Sequence, residues 1–276
     1  MINKKYKDRL FCLLFGNEEY KDNILSLYNA LCNTSYTNTD DIQIYTIEDV
    51  IYIKMKNDVS ILLDSFLYLW EQQSTFNPNM PIRGLLYFGK MYDKYITENH
   101  LNIYGKTLIK LPTPKYTVLY NGMDEQPAFM QLRLSDSFIN PDTSGDFEWT
   151  ANMINLNDGK NDDLLDKCQP LKEYMILINE IRKNSVSMGF EDAVDTAVTD
   201  CIEHNVLKSF LLKHRAEVLD VCITEYNEKS FVDGIREEGQ NLLATVVLRL
   251  RNGETPEQIL ASGVDAKTIE LAETIK

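Results

Sequence analysis

The sequence predicts a mixed α/β (α+β) first part followed by an α-helical C-terminal region. Two observations lead there. Up to residue 156, helical periodicity alternates with short runs of β-branched and apolar residues, punctuated by Pro, Gly and Asn. From residue 162 onward, apolar residues recur only at helical spacing. Charge divides the chain in the same way: residues 1–134 hold 14 Lys+Arg and 15 Asp+Glu, and residues 135–276 hold 14 and 27. The border falls in "NDGKNDD", giving domains 1–160 and 161–276, a count that suits 276 residues.

Taken in order, Asn17 caps a helix with Glu18 and Glu19 in its first turn and Ile24, Leu27, Tyr28 and Leu31 on its apolar face. Ile47 to Met55 suits a strand. Val59–Leu63 and Phe66–Trp70 are separated only by Asp64-Ser65, which predicts a two-residue hairpin with a turn weaker than Asn-Gly. A helix runs from Ile82 to Ile96 after the Pro- and Asn-rich segment 77–81. A strand over Tyr116–Tyr120 closes on Asn121-Gly122, and one or two short strands follow in 128–156 around a polar loop at 140–146. The second half reads as helices over 162–183, 190–203, 206–226 and 235–251. Two short helices end the chain, the first opening at Thr255-Pro256-Glu257.

The formal net charge of −14 argues against coating nucleic acid along the whole chain, because phosphate contacts need Lys and Arg. The deficit belongs to the second half, and the first is close to neutral. Five scattered cysteines predict reduced thiols. No run of 18 apolar residues predicts a membrane span, and a cytoplasmic location follows as the expectation.

If Asp64-Ser65 is the turn, facing residues have numbers summing to 129, so Asp58 faces Glu71, and Gln73 shares the face of Glu71. Two like charges opposed at a hairpin end repel. A hard divalent cation between them would reverse the sign. Charged residues at strand ends are also ordinarily just solvated, and spacing leaves both readings open.

The segments "LFCLLFGNEEYKDNILSLYNAL", "KNDVSILLDSFLYLWEQQSTFNPNMPIRGLLYFGKMYDKYI" and "LPTPKYTVLYNG", in that order over residues 6–125, resemble the PD-(D/E)XK nuclease family transposases, the recombination-promoting nuclease (Rpn) family. The resemblance implies a restriction-endonuclease-like core of order αβββαβ, with a mostly antiparallel hairpin system. It implies Mg²⁺-dependent DNA endonuclease activity, with Mn²⁺ as a substitute, linked to recombination, mobile elements or defence. The catalytic residues it implies are Asp58, Glu71 and Gln73. The metal ligands it implies are Asp58, Glu71, the carbonyl of Gln72, and Glu19, with Glu18 as the alternative. The chain departs from the family pattern in having Asn57 where Pro precedes the Asp, and Gln73 where Lys ends the motif. The second change removes a cation beside the scissile phosphate. An amide can orient water by hydrogen bonding but cannot serve as a general base.

Arg83 and Tyr87 share a face of the second helix and read either as contacts to the DNA backbone or as an ion-pair residue and a core residue. Lys56, with Lys54, Lys90, Lys94, Lys106, Lys110 and Lys115, reads either as a phosphate-facing edge or as solvated lysines. Cys201, His204, His214 and Cys222 have no familiar zinc spacing, and the cysteines read as core. The acidic helical region predicts protein–protein contact, including a homo-oligomer. The second reading of the whole chain is a catalytically weak nuclease-fold protein that acts as an interaction module.

Overall fold

The computed structural model describes residues 6–46, 58–142, 144–251, 254–261, 264 and 266–275. The chain divides into two compact units, Met1–Ile223 and Thr224–Lys276.

The first unit is a six-stranded mixed sheet with helices on both faces. Two helices open it, α1 (Tyr6–Phe15) and α2 (Lys21–Cys32). The strands are β1 (Gln43–Ile44), β2 (Val59–Leu63), β3 (Phe66–Gln73), β4 (Thr113–Tyr120), β5 (Phe129–Arg133) and β6 (Thr150–Asn155), in spatial order β1-β2-β3-β4-β6-β5. β3 joins β4 through α3 (Met80–Glu98), and this crossover makes the β3–β4 pair parallel. β4 and β6 are also parallel, while β1–β2, β2–β3 and β5–β6 are antiparallel.

The hairpin register follows the sequence spacing: Leu63 pairs with Phe66, Ile61 with Tyr68 and Val59 with Trp70. Asp64 and Ser65 both take left-handed backbone, with φ of 49° and 63°. Positive φ at both central residues is the geometry that matches the twist of two-residue hairpins. Asp64 is further held by Tyr36, whose hydroxyl donates to its Oδ2 at 2.7 Å.

Alternation along β3 builds two cores. Leu67 and Leu69 pack with Met80, Tyr87, Phe88 and Met91 of α3 and with Tyr116 and Val118 of β4. Tyr68 points the other way, with its ring 5.3 Å from that of Tyr28 on α2. That face is covered by α1, α2, α4 (Asp162–Lys167) and α5 (Gln169–Asn184), and α6 (Phe190–Glu203) packs on α5. Phe11 of α1 meets Tyr174 of α5 at 6.0 Å between ring centres. The helix α7 (Lys208–Arg251) starts in the first unit, with non-helical backbone at His214.

The second unit buries Val246, Val247 and Leu250 of α7 with Ile259 of α8 (Pro256–Ala261) and Ile269 and Ala272 of α9 (Ala266–Ile275). Thr255 opens α8 as the spacing predicts. Its Oγ1 accepts from the Gln258 N–H, while Gln258 Oε1 accepts from the Thr255 N–H.

Several expectations change. The helix α1 precedes the predicted first helix. Asn17 caps a short turn at Glu18–Tyr20, its Oδ1 accepting from the Glu19 N–H at 3.0 Å, and α2 begins after that turn. The strand expected at Ile47–Met55 lies outside the described residues. The hairpin system is extended by parallel strands, because the α3 crossover carries the chain back so that β4 runs in the same direction as β3. The border at 160/161 does not coincide with the division between compact units at 223/224, because α5 buries Leu171, Tyr174, Leu177, Ile178 and Ile181 within the first unit.

Candidate functional site

The hairpin pairing ends at Val59–Trp70, one step short of the Asp58–Glu71 pair that the spacing predicts. Asp58 directly precedes β2, and its Oδ2 accepts from the Gln72 N–H at 2.7 Å. This bond ties the start of β2 to the end of β3. Cys12 of α1 donates through Sγ to the Asp58 carbonyl at 3.4 Å.

Glu71 is fully buried, at 0% exposure, yet every oxygen has a partner. Its Oε1 lies 3.2 Å from Arg83 Nη2, and the Tyr116 hydroxyl donates to its Oε2 at 2.7 Å. Arg83 Nη2 also donates to the Tyr87 hydroxyl at 3.2 Å, and the guanidinium carbon lies 5.8 Å from the centre of the Tyr87 ring. A hydrogen-bonded, charge-paired carboxylate is the form in which a buried acid is tolerated.

Electrostatics separate the two acids. Burial pushes the Glu71 carboxyl above its ordinary value, while Arg83 and the Tyr116 hydroxyl pull it back down. Asp58 keeps some exposed surface, but its carboxyl is enclosed by protein and sits well above the usual range. Burial is the largest cause, followed by the negative charges of Asp8 and Glu71. Burial pulls the Arg83 guanidinium down, but Glu71 and Tyr87 outweigh it and hold the group firmly protonated. The charges of Asp8 and Glu71 thus both oppose ionisation of Asp58, and Arg83 offsets them in part.

Asp8 is the acid that sequence reasoning missed. It sits on α1 one turn before Cys12, on the side facing Asp58. Glu19 instead projects outward from the turn before α2 and pairs with Lys213. Glu18 pairs with Lys21 at 2.7 Å.

Gln73, at the end of β3, is partly exposed, and its carbonyl accepts from the Asn121 N–H at 3.0 Å. Gln72 is buried on the opposite face, its Nε2 donating to Asn121 Oδ1 at 2.7 Å. Asn121 is in turn held by Lys7 and Arg182, which both donate to its carbonyl. A polar network thus anchors the strand ends behind the carboxylates.

Arg83 and Tyr87 combine in one group: Tyr87 belongs to the core at 2% exposure, and Arg83 is the ion-pair partner of Glu71. Lys56 and Lys54 lie outside the described residues. The loop carrying Lys106 and Lys110 enters β4 at Thr113, which pairs with Phe66, so it meets the end of β3 opposite Glu71. Lys94 and Lys115 sit over the rings of Tyr45 and Phe66. Cys201 and Cys222 are buried, as core cysteines are.

Among the described residues, no group of three or more His, Cys, Asp and Glu side chains is gathered to hold a metal ion. None of their helices is long and apolar enough to cross a membrane. No family model, curated protein or solved structure matches the chain.

Proposed function

We propose that the chain is a divalent-cation-dependent DNA endonuclease with a PD-(D/E)XK-like core, as its resemblance to the Rpn family implies. The observation that carries this reading is the Asp58 carboxyl at the hairpin end, bonded to the Gln72 N–H beside the buried Glu71. The element order supports it: helices, then β1, β2 and β3, then α3 and β4, with β1 to β4 adjacent in space.

The donors fit a hard cation. Mg²⁺ or Mn²⁺ is commonly held by one or two carboxylates, with water and phosphate completing the shell. Asp58 and Glu71 would hold it, with the Gln72 carbonyl, and Asp8 rather than Glu19 is the further acid near Asp58. When bound, the ion supplies polarisation of a phosphate oxygen and a lowered pKa for the attacking water. The chain's own residues orient the site. The Gln72 N–H fixes the Asp58 carboxyl, Tyr116 and Arg83 fix Glu71, and the Gln73 amide can hold a water by hydrogen bonding.

The test is incubation of supercoiled plasmid with Mg²⁺, Mn²⁺ or EDTA. Nicking or linearisation that EDTA, Asp58→Ala and Glu71→Ala each abolish is the expected result. Cleavage that survives both substitutions refutes the assignment. A second reading, an interaction module on a nuclease-like fold, is favoured by the complete partnering of Glu71. It predicts no cleavage by the wild type with either ion.

A further inference from the structure

We propose that Arg83 is the phosphate-facing cation of this site, supplying from α3 the positive charge that β3 lacks at Gln73. The proposal rests on the nuclease reading and goes beyond it in assigning the charge.

Phosphodiester hydrolysis puts extra negative charge on the phosphate oxygens in the transition state, and a fixed cation within reach stabilises that charge. Neither Gln73 nor any other β3 residue carries one. Arg83 enters the same space from the neighbouring element, 3.2 Å from Glu71 Oε1. Its side chain is 29% exposed whereas that of Glu71 is fully buried, so Arg83 is the member of the ion pair that solvent reaches. Of its five donors, Nη2 serves Glu71 and Tyr87, and Nη1 approaches Met80 Sδ at 3.6 Å. That leaves donors for a phosphate, which a planar fork binds well.

The placement is built into the fold. Gly84, the next residue on α3, lies against the ring of Tyr116, where a side-chain methyl would overlap the ring. The helix therefore approaches β4 closely enough for Tyr116 and Arg83 to reach one carboxylate from two sides. Arg83 stays protonated at any working pH, which suits it to charge stabilisation and excludes it as a base.

The experiment compares wild type, Arg83→Gln, Gln73→Lys and the double variant. Plasmid cleavage in Mg²⁺ gives kcat. DNA affinity in Ca²⁺ over a range of salt is measured separately, and thermal melting checks folding. Arg83→Gln is expected to lower kcat about a hundredfold and to make the slope of log affinity against log salt shallower by about one. Gln73→Lys is expected to restore about tenfold or more of kcat in the Arg83→Gln background, by returning a cation as the lost donor's substitute. In the wild-type background it is expected to bring no comparable gain, because the role is filled.

An active wild type whose Arg83→Gln variant keeps its kcat and salt slope overturns the assignment and leaves the nuclease reading standing. So does a slow Arg83→Gln variant with an unchanged slope and no restoration by Gln73→Lys. If Arg83→Gln does not fold, a large gain from Gln73→Lys alone shows the role unfilled and overturns the proposal. A wild type that cleaves nothing refutes the nuclease reading itself, and this inference with it.

Discussion

Asp58 carries most of the tension in the site. Its carboxyl sits well above the ordinary value because burial and the charges of Asp8 and Glu71 oppose ionisation, and Glu71 is raised in the same direction. The folded state therefore holds these protons more tightly than the unfolded chain does. Their stabilising contribution is complete below about pH 4, the ordinary carboxylate range, and is lost as pH rises through the raised values. Thermal melts in EDTA should accordingly fall as pH rises above the ordinary carboxylate range in the wild type and fall less in Asp58→Asn, which cannot ionise. Tyr116→Phe strips the donor from Glu71 Oε2 and should cost about 1–3 kcal/mol in denaturant unfolding, the cost of an unsatisfied buried acceptor. The hairpin register from Val59–Trp70 to Leu63–Phe66 was legible because a two-residue turn fixes every pair of the hairpin. The influence of Asp8 on Asp58 was not, because it depends on how α1 lies across the sheet, and no local periodicity encodes that.

At the scale of elements, two short features decide whether the site assembles. One is the turn. Asp64 and Ser65 hold left-handed backbone without glycine, a strain of roughly 1–2 kcal/mol per residue. Ser65→Gly should stabilise the protein by about 1 kcal/mol in chemical denaturation while leaving the register and the Tyr36–Asp64 bond in place. The other is the contact of α3 with β4. Gly84→Ala should lower stability by about 1–3 kcal/mol through overpacking against Tyr116, and should slow cleavage by displacing Arg83. Gly89, on the same helix with open space around it, provides the control, and Gly89→Ala should be neutral or gain up to about 1 kcal/mol of helix propensity. The helix over 82–96 and the strand over 116–120 were readable from Pro, Asn and Gly punctuation. Their parallel partnership with β3 was not, since it follows from the crossover and not from either segment alone.

At the scale of the molecule, charge and packing divide the chain at different places. Acidity begins near residue 135, but the first compact unit runs to Ile223, because α5 turns apolar residues toward α1 and α2 whatever its exposed face carries. Charge reports the solvent side of a helix, and only contacts report the buried side, so the division at 223/224 was not legible in composition. Residues 1–223 should fold cooperatively, while residues 1–160 should not, because removing α5 bares Phe11 and its neighbours on α1; circular dichroism melts distinguish the two. The net charge of −14 likewise bears on where DNA could approach, not on whether it does. The central claim is that the hairpin-end acids form a divalent-cation site, and calorimetric titration of the full chain with Mn²⁺ tests it most directly. The account predicts saturable binding of Mn²⁺ that Asp58→Asn and Glu71→Gln each weaken by about tenfold or more, a loss of about 1.4 kcal/mol. Binding of equal strength in all three proteins, or none in the wild type, would contradict it.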